Sequence, residues 1–137
     1  MSGNTYKQIC YHIIFSTKDR HPVINSEIRS DVYNYIRRMS KEIGLYLHNI
    51  GGTDDHVHLL IYIPPKLAVS DAVGKLKGAS SHYVNSKYAD KYTLYWQNGF
   101  GAFTIGKERF KRLATYIDNQ EKHHRDETIE DDLEKVP

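Results

Sequence analysis

The sequence predicts an α+β fold: a ferredoxin-like (RRM-like) β-α-β-β-α-β antiparallel sheet with one extra C-terminal helix that carries Tyr116. Two patterns and a length lead there. Runs rich in β-branched and aromatic residues alternate with runs whose apolar residues recur every three or four positions. Gly51-Gly52-Thr53-Asp54-Asp55 carries hairpin turn chemistry between two of the strand-like runs. The chain has 137 residues, enough for one domain with a real core but not for two.

Residues 5 to 17 read as a long first strand, Thr5 through Thr17, and Lys18-Asp19-Arg20-His21-Pro22 follows as a charged loop. The first helix opens at Asn25 or Ser26 as cap with Glu27 in its first turn. It carries Ile28, Val32, Tyr35, Ile36, Met39 and Ile43 at helical spacing and ends at Gly44. A short strand from Leu45 to Ile50 enters the glycine-rich turn, and the strand from His56 to Ile63 returns from it and is stopped by Pro64-Pro65. Ser70 and Asp71 start the second helix, with Ala72, Val73, Leu76, Ala79, Tyr83 and Val84 inward and Lys75, Lys77 and Lys87 outward. Gly99 to Thr104 reads as a last strand loosened by glycine, and a third helix runs from about Lys107 to His124.

Composition narrows the class. No apolar run of membrane-spanning length and no basic-then-apolar leader is present, so the expectation is neither a membrane-spanning nor a secreted chain. The single cysteine, Cys10, excludes an internal disulfide framework and fits a reducing cytoplasm; among Ile9, Tyr11 and Ile13 it reads as a small buried hydrophobe. The eleven tyrosines offer flat surfaces with a polar end, suited to cores near a surface and to unpaired bases. Residues 125–137 hold six acids against Arg125 and Lys135, which leaves 17 basic and 11 acidic groups, or +6, on residues 1–124. A basic body of that kind fits a polyanionic partner such as nucleic acid. The body, 1–124, is expected to form one domain, and 125–137 an acidic tail that is no domain of its own.

The chemistry centres on His56-Val57-His58. Side chains on a strand alternate faces, so the two imidazoles project to one side and Val57 to the other. Neutral imidazole is a common metal ligand, and a pair on a rigid strand is half of a site. On the third helix Phe110, Leu113, Ala114 and Ile117 make an apolar stripe, and Tyr116 and Gln120 fall together on its flank with Arg109, Arg112 and His123 close by. Taken singly, these are ordinary boundary and surface residues. Together, two histidines and a Gln carbonyl oxygen make a three-ligand site for Mg²⁺ or Mn²⁺ against a phosphate oxygen, with Tyr116 as nucleophile one turn away. His123 and His124, within a turn of Gln120, are alternative ligands. A tyrosyl phosphodiester keeps the energy of the bond it replaces, so a 3′-hydroxyl can attack it and rejoin DNA without ATP.

His56-Val57-His58 resembles the histidine-hydrophobe-histidine signature of the HUH endonucleases. Tyr116-Ile117-Asp118-Asn119-Gln120 resembles the helix of their single-tyrosine transposase branch, the small transposases of the two-hundred-type insertion sequences and their repeat-associated relatives. Phe15-Ser16-Thr17-Lys18, Asp55 to Leu60, Lys75 to Ser81, Trp96 to Phe103 and Gln120 to His124 resemble family segments in the family's order. The resemblance implies a metal-dependent transposase that cleaves and rejoins single-stranded DNA at the hairpin-marked ends of a mobile element, leaving a 5′-phosphotyrosine link and a free 3′-hydroxyl. It implies that His56, His58 and Gln120 hold the metal and Tyr116 attacks, and it implies a homodimer in which the tyrosine helix of one subunit can complete the histidine site of the other. Lys18, Arg20, Lys75, Lys77, Arg109 and Arg112 are the DNA-binding candidates, chosen from charge and placement. Two other readings stay open: a non-catalytic module of the same fold that grips single-stranded DNA or RNA hairpins, and a structural or small-molecule metal protein built on the histidine pair.

Overall fold

The computed structural model describes residues 9–137. Strand β1 (Cys10–Ser16) is followed by a 3-10 turn (Lys18–Arg20), helix α1 (Arg29–Glu42), the hairpin strands β2 (Tyr46–Gly52) and β3 (His56–Tyr62), and helix α2 (Val69–Lys87). Strand β4 (Gly101–Ile105), helix α3 (Lys107–Asp118), the short helix α4 (Gln120–Arg125) and a second 3-10 turn (Asp131–Leu133) complete the chain. The four strands form one antiparallel sheet in the order β2-β3-β1-β4, so β1 and β3 lie at its centre. This is the expected split β-α-β arrangement, with the added helix in place. Among the described residues no helix is long and apolar enough to cross a membrane.

Both faces of the sheet are covered, and the period of two along the strands decides which residue goes where. Ile13 and Phe15 of β1 and Val57, Leu59 and Ile61 of β3 point to the face that α1 and α2 cover, against Ile28, Val32, Ile36, Val73 and Leu76. Burying each such side chain contributes about 1.5–3 kcal/mol. Cys10 and Leu60 point to the opposite face and meet Leu113 and Ile117 of α3. His12, His56 and His58 share that second face by parity and are also buried. The register sets Ile14 beside His58 and Ser16 beside His56.

Local chemistry explains most boundaries. The Asn25 side-chain oxygen accepts from the Glu27 and Ile28 N–H groups at 3.0 and 3.3 Å, which winds a turn that feeds α1 at Arg29, so the cap falls at Ile28 rather than at the expected Asn25 or Ser26. Gly44 ends α1 in the left-handed region with φ 84°. Gly51 and Gly52, expected in the hairpin turn, extend β2, and the turn itself is Thr53-Asp54-Asp55. Gly99 and Phe100 precede β4, which starts at Gly101, and residues 5–8 of the expected first strand lie outside the described residues.

The third helix is a correction. One helix was expected to His124, but the backbone breaks at Asn119, with φ −109° and ψ 25°. The Asn119 side-chain amide donates to the Thr115 carbonyl at 2.8 Å, and its backbone N–H is shared between the carbonyls of Thr115 and Tyr116. Side-chain competition for helix carbonyls is the behaviour that makes Asn a poor interior residue and a frequent terminator.

Candidate active site

Three elements deliver the site. β3 presents His56 and His58, α3 presents Tyr116, and α4 presents Gln120 and His124. A close approach brings α3 to the sheet: a Cβ on Gly51 would lie 2.1 Å from the Ile117 carbonyl oxygen, so only glycine lets the helix settle there. Asn49 of β2 donates to Asp118 at 2.9 Å and pins the helix end.

The donor atoms converge. His56 Nε2 is 3.1 Å from Gln120 Oε1, and His124 Nε2 is 3.2 Å from the same oxygen. Into this cluster comes Glu134 from the acidic tail. Its Oε1 stands 3.0 Å from His58 Nε2, 3.3 Å from His56 Nε2 and 3.4 Å from His124 Nε2. Its Oε2 accepts from the Tyr116 hydroxyl at 2.5 Å and from the Gln120 amide at 3.1 Å. Tyr116 is only 3% exposed; its ring stacks on His123, yet its hydroxyl reaches the cluster from within the same chain. Ligands at right angles around an ion held at about 2.1 Å lie about 3 Å apart, so this donor set and spacing fit a divalent cation. Among the described residues, His56, His124 and Glu134 form a group of histidine and carboxylate ligand atoms that all lie within 4.8 Å of one another.

The imidazoles are held from behind. His56 Nδ1 donates to Asp55 Oδ1 at 2.8 Å, leaving Nε2 directed into the site. His58 Nδ1 faces His12 Nε2 at 2.8 Å, and the two rings stack. Partners of this kind fix the tautomer and the ring orientation of a metal-binding histidine. Burial, joined by the neighbouring His58, pushes the His12 pKa down to about 3, so His12 is neutral and can either donate to or accept from His58. Burial also lowers His58. For His56 burial pulls down, but the hydrogen bonds to Asp55 and Glu134 outweigh it and raise its pKa to about 9. His56 is therefore the charged partner of Glu134 when no cation is bound. Burial, aided by the hydrogen bond to Glu134, pushes the Tyr116 phenol up to about 12.

His56, His58, Gln120 and Tyr116 are thus brought together as expected, and His124 joins them where His123 does not. His12, Asp55 and Glu134 were missed as site residues. The period of two carries a signal for His12 once β1 is paired with β3, but the register is not visible in the sequence. Among the DNA-binding candidates, Lys18, Lys75 and Arg109 are exposed. Arg20 pairs with Asp55 at 3.3 Å, and Arg112 pairs with Glu130. Lys77, expected outward, is half-buried: its Nζ donates to the carbonyls of Gln97 and Gly99 at 2.7 and 2.9 Å and lies over the Phe15 ring. Desolvation lowers its pKa.

An antiparallel sheet with helices on both faces and paired strand histidines facing a helix-borne tyrosine defines a class of DNA-processing protein, and the comparisons agree. The family described as "Transposase IS200 like" matches residues 5–120. The chain belongs to this family of transposases. The transposase for insertion sequence element IS200 of Salmonella typhimurium is 33% identical over 115 residues, covering 80% of this chain and 75% of that protein. A crystal structure from Deinococcus radiodurans ascribed to a transposase has a TM-score of 0.68 at 28% identity, covering 88% of this chain and 97% of that one. The REP-associated tyrosine transposase bound to a REP hairpin shares the fold, with a TM-score of 0.67 at 14% identity over 90% of this chain and 74% of that one.

Proposed function

We propose that this transposase cleaves and rejoins single-stranded DNA at hairpin-marked ends of a mobile element through a 5′-phosphotyrosine intermediate, with Tyr116 as the nucleophile. The observation that carries the reading is the convergence of the Tyr116 hydroxyl, His56, His58 and Gln120 on one carboxylate, Glu134. His56, His58 and Gln120 would hold a divalent cation, Mg²⁺ or Mn²⁺, which when bound would supply Lewis-acid polarisation of the scissile phosphate and stabilise the departing oxygen. Asp55 and His12 keep the two imidazoles aimed at one point. The Tyr116 phenol loses its proton to solvent as its oxygen bonds to phosphorus. The bond to the 3′ oxygen breaks, and that oxygen takes up a proton as a free hydroxyl. Attack by a 3′-hydroxyl on the tyrosyl phosphodiester reverses the step and joins new ends.

Exposed Lys18, Lys75 and Arg109, with Arg20 and Arg112, supply positive charge for the backbone of the strand. A homodimer remains part of the proposal, because the break at Asn119 separates the tyrosine helix from the element bearing Gln120. The test is a denaturing gel after mixing the protein with Mn²⁺ and a single strand copied from the DNA flanking its gene. A covalent adduct is expected from the parent chain and none from Tyr116→Phe; an undiminished adduct from that variant sinks the assignment. A non-catalytic hairpin-binding module is the second reading, favoured by the burial of Tyr116. It predicts binding that persists in chelator and no adduct with any metal.

A further inference from the structure

The acidic segment after α4 does not trail into solvent. The Thr128 N–H donates to the His123 carbonyl at 2.8 Å, and the Glu130 N–H donates to the Tyr116 hydroxyl oxygen at 3.0 Å. Leu133 packs on the cluster of Cys10, Leu60, Leu113 and Ile117. The Lys135 carbonyl oxygen fits only because residue 101 is glycine, since a Cβ there would lie 2.2 Å away. The segment therefore crosses the site face from α4 to the edge strand β4, and its one inward carboxylate, Glu134, is only 13% exposed.

What Glu134 touches identifies what it replaces. A scissile phosphate has to place one anionic oxygen among the cation's ligands and bring its phosphorus within reach of the tyrosine oxygen. Glu134 does the equivalent with its two oxygens, one among the imidazole nitrogens and the other on the Tyr116 hydroxyl. Carboxylate and phosphate oxygens are both hard anionic donors that suit the same cations.

Building on the transposase reading above, we propose that residues 126–137 are an intramolecular competitor of the DNA phosphate. Glu134 supplies a further ligand to the cation and holds the Tyr116 hydroxyl until a single strand displaces the segment. The closed arrangement retains the cation and blocks the nucleophile in one contact. The apparent affinity for DNA is then reduced by the fraction of molecules in which the segment is open.

Two variants of the full chain separate the parts. Glu134→Gln removes the anionic ligand while keeping the shape, and Leu133→Ser loosens the segment without touching the carboxylate. Mn²⁺ alone, followed by electron paramagnetic resonance, is expected to bind Glu134→Gln about tenfold more weakly, as loss of a carboxylate ligand requires. A fluorescein-labelled single strand from the DNA flanking the gene, at saturating Mn²⁺, is expected to bind both variants about tenfold more tightly than the parent, corresponding to a segment closed about nine-tenths of the time. Strand binding unchanged or weaker in both variants, or Mn²⁺ binding unchanged in Glu134→Gln, overturns the proposal. If the variants bind the strand more tightly but no chain yields a covalent adduct, the competitor stands and the cleavage reading falls.

Discussion

His12 Nε2 and His58 Nδ1 lie 2.8 Å apart on neighbouring strands, sealed in the sheet face behind the site. For His58 to offer Nε2 to a cation, its proton has to sit on Nδ1, where His12 accepts it. Replacing His12 with Ala is expected to weaken Mn²⁺ binding by about 10–100-fold, the usual effect of losing such a partner. His12→Gln, whose amide oxygen can still accept, should recover part of the loss. Calorimetry measures both, and unchanged affinity in the Ala variant would show that His58 needs no support from behind.

Asp55 plays the corresponding part for His56 and also pairs with Arg20. The His56 hydrogen bond, ahead of the Arg20 charge, holds the Asp55 carboxyl below its ordinary range, so it is ionised at neutral pH. Asp55→Ala is expected to lower Mn²⁺ affinity about tenfold or more, with Asp55→Asn intermediate because it keeps the acceptor and loses the charge. Equal affinities for all three chains would contradict the orienting role.

Gly51→Ala tests how α3 is seated. The new methyl would meet the Ile117 carbonyl oxygen at 2.1 Å, and a backbone atom cannot rotate away. Overpacking of this kind costs about 1–3 kcal/mol, or a Tm lowered by roughly 5–10 °C. Since Tyr116 and Gln120 sit on and just beyond that helix, Mn²⁺ affinity and adduct yield should fall with it. A Tm within a degree of the parent would mean that the helix is not locked to β2 at this point.

Tyr116 offers a spectroscopic handle. Burial pushes both Tyr116 and Tyr33 up to about 12, above their ordinary value of 10. The raised value means that folding disfavours the phenolate. Each phenol's contribution to stability is therefore fully present below pH 10 and is lost as pH rises through about 12. Tyr116→Phe is expected to remove one late step from the phenolate absorbance titration while leaving Mn²⁺ affinity within about twofold, since the hydroxyl is not one of the metal-binding groups. Removal of an early step near pH 10 instead would place Tyr116 in water.

Legibility followed the range of the interactions. His56 and His58 could be paired from the sequence because a strand's alternation is local, and Tyr116 with Gln120 because a helix repeats within a turn. The break at Asn119 was equally local in cause, yet it hid behind an apolar stripe that continues through Ile117 and made the helix look unbroken. Lys77 looked like any solvated lysine until the loop carrying Gln97 and Gly99 folded over it.

The sequence by itself determined the order of the four strands and the first three helices, that the two histidines share one face, and the nucleophile candidate, because each depends on spacing within an element. Only the tertiary structure decided that His12 stands behind His58, that Gly51 admits α3 to the sheet, and that Glu134, one of six tail acids, enters the site. These depend on register, close approach and the path of a segment across distant strands, contacts between residues dozens of positions apart along the chain, and no local periodicity encodes them.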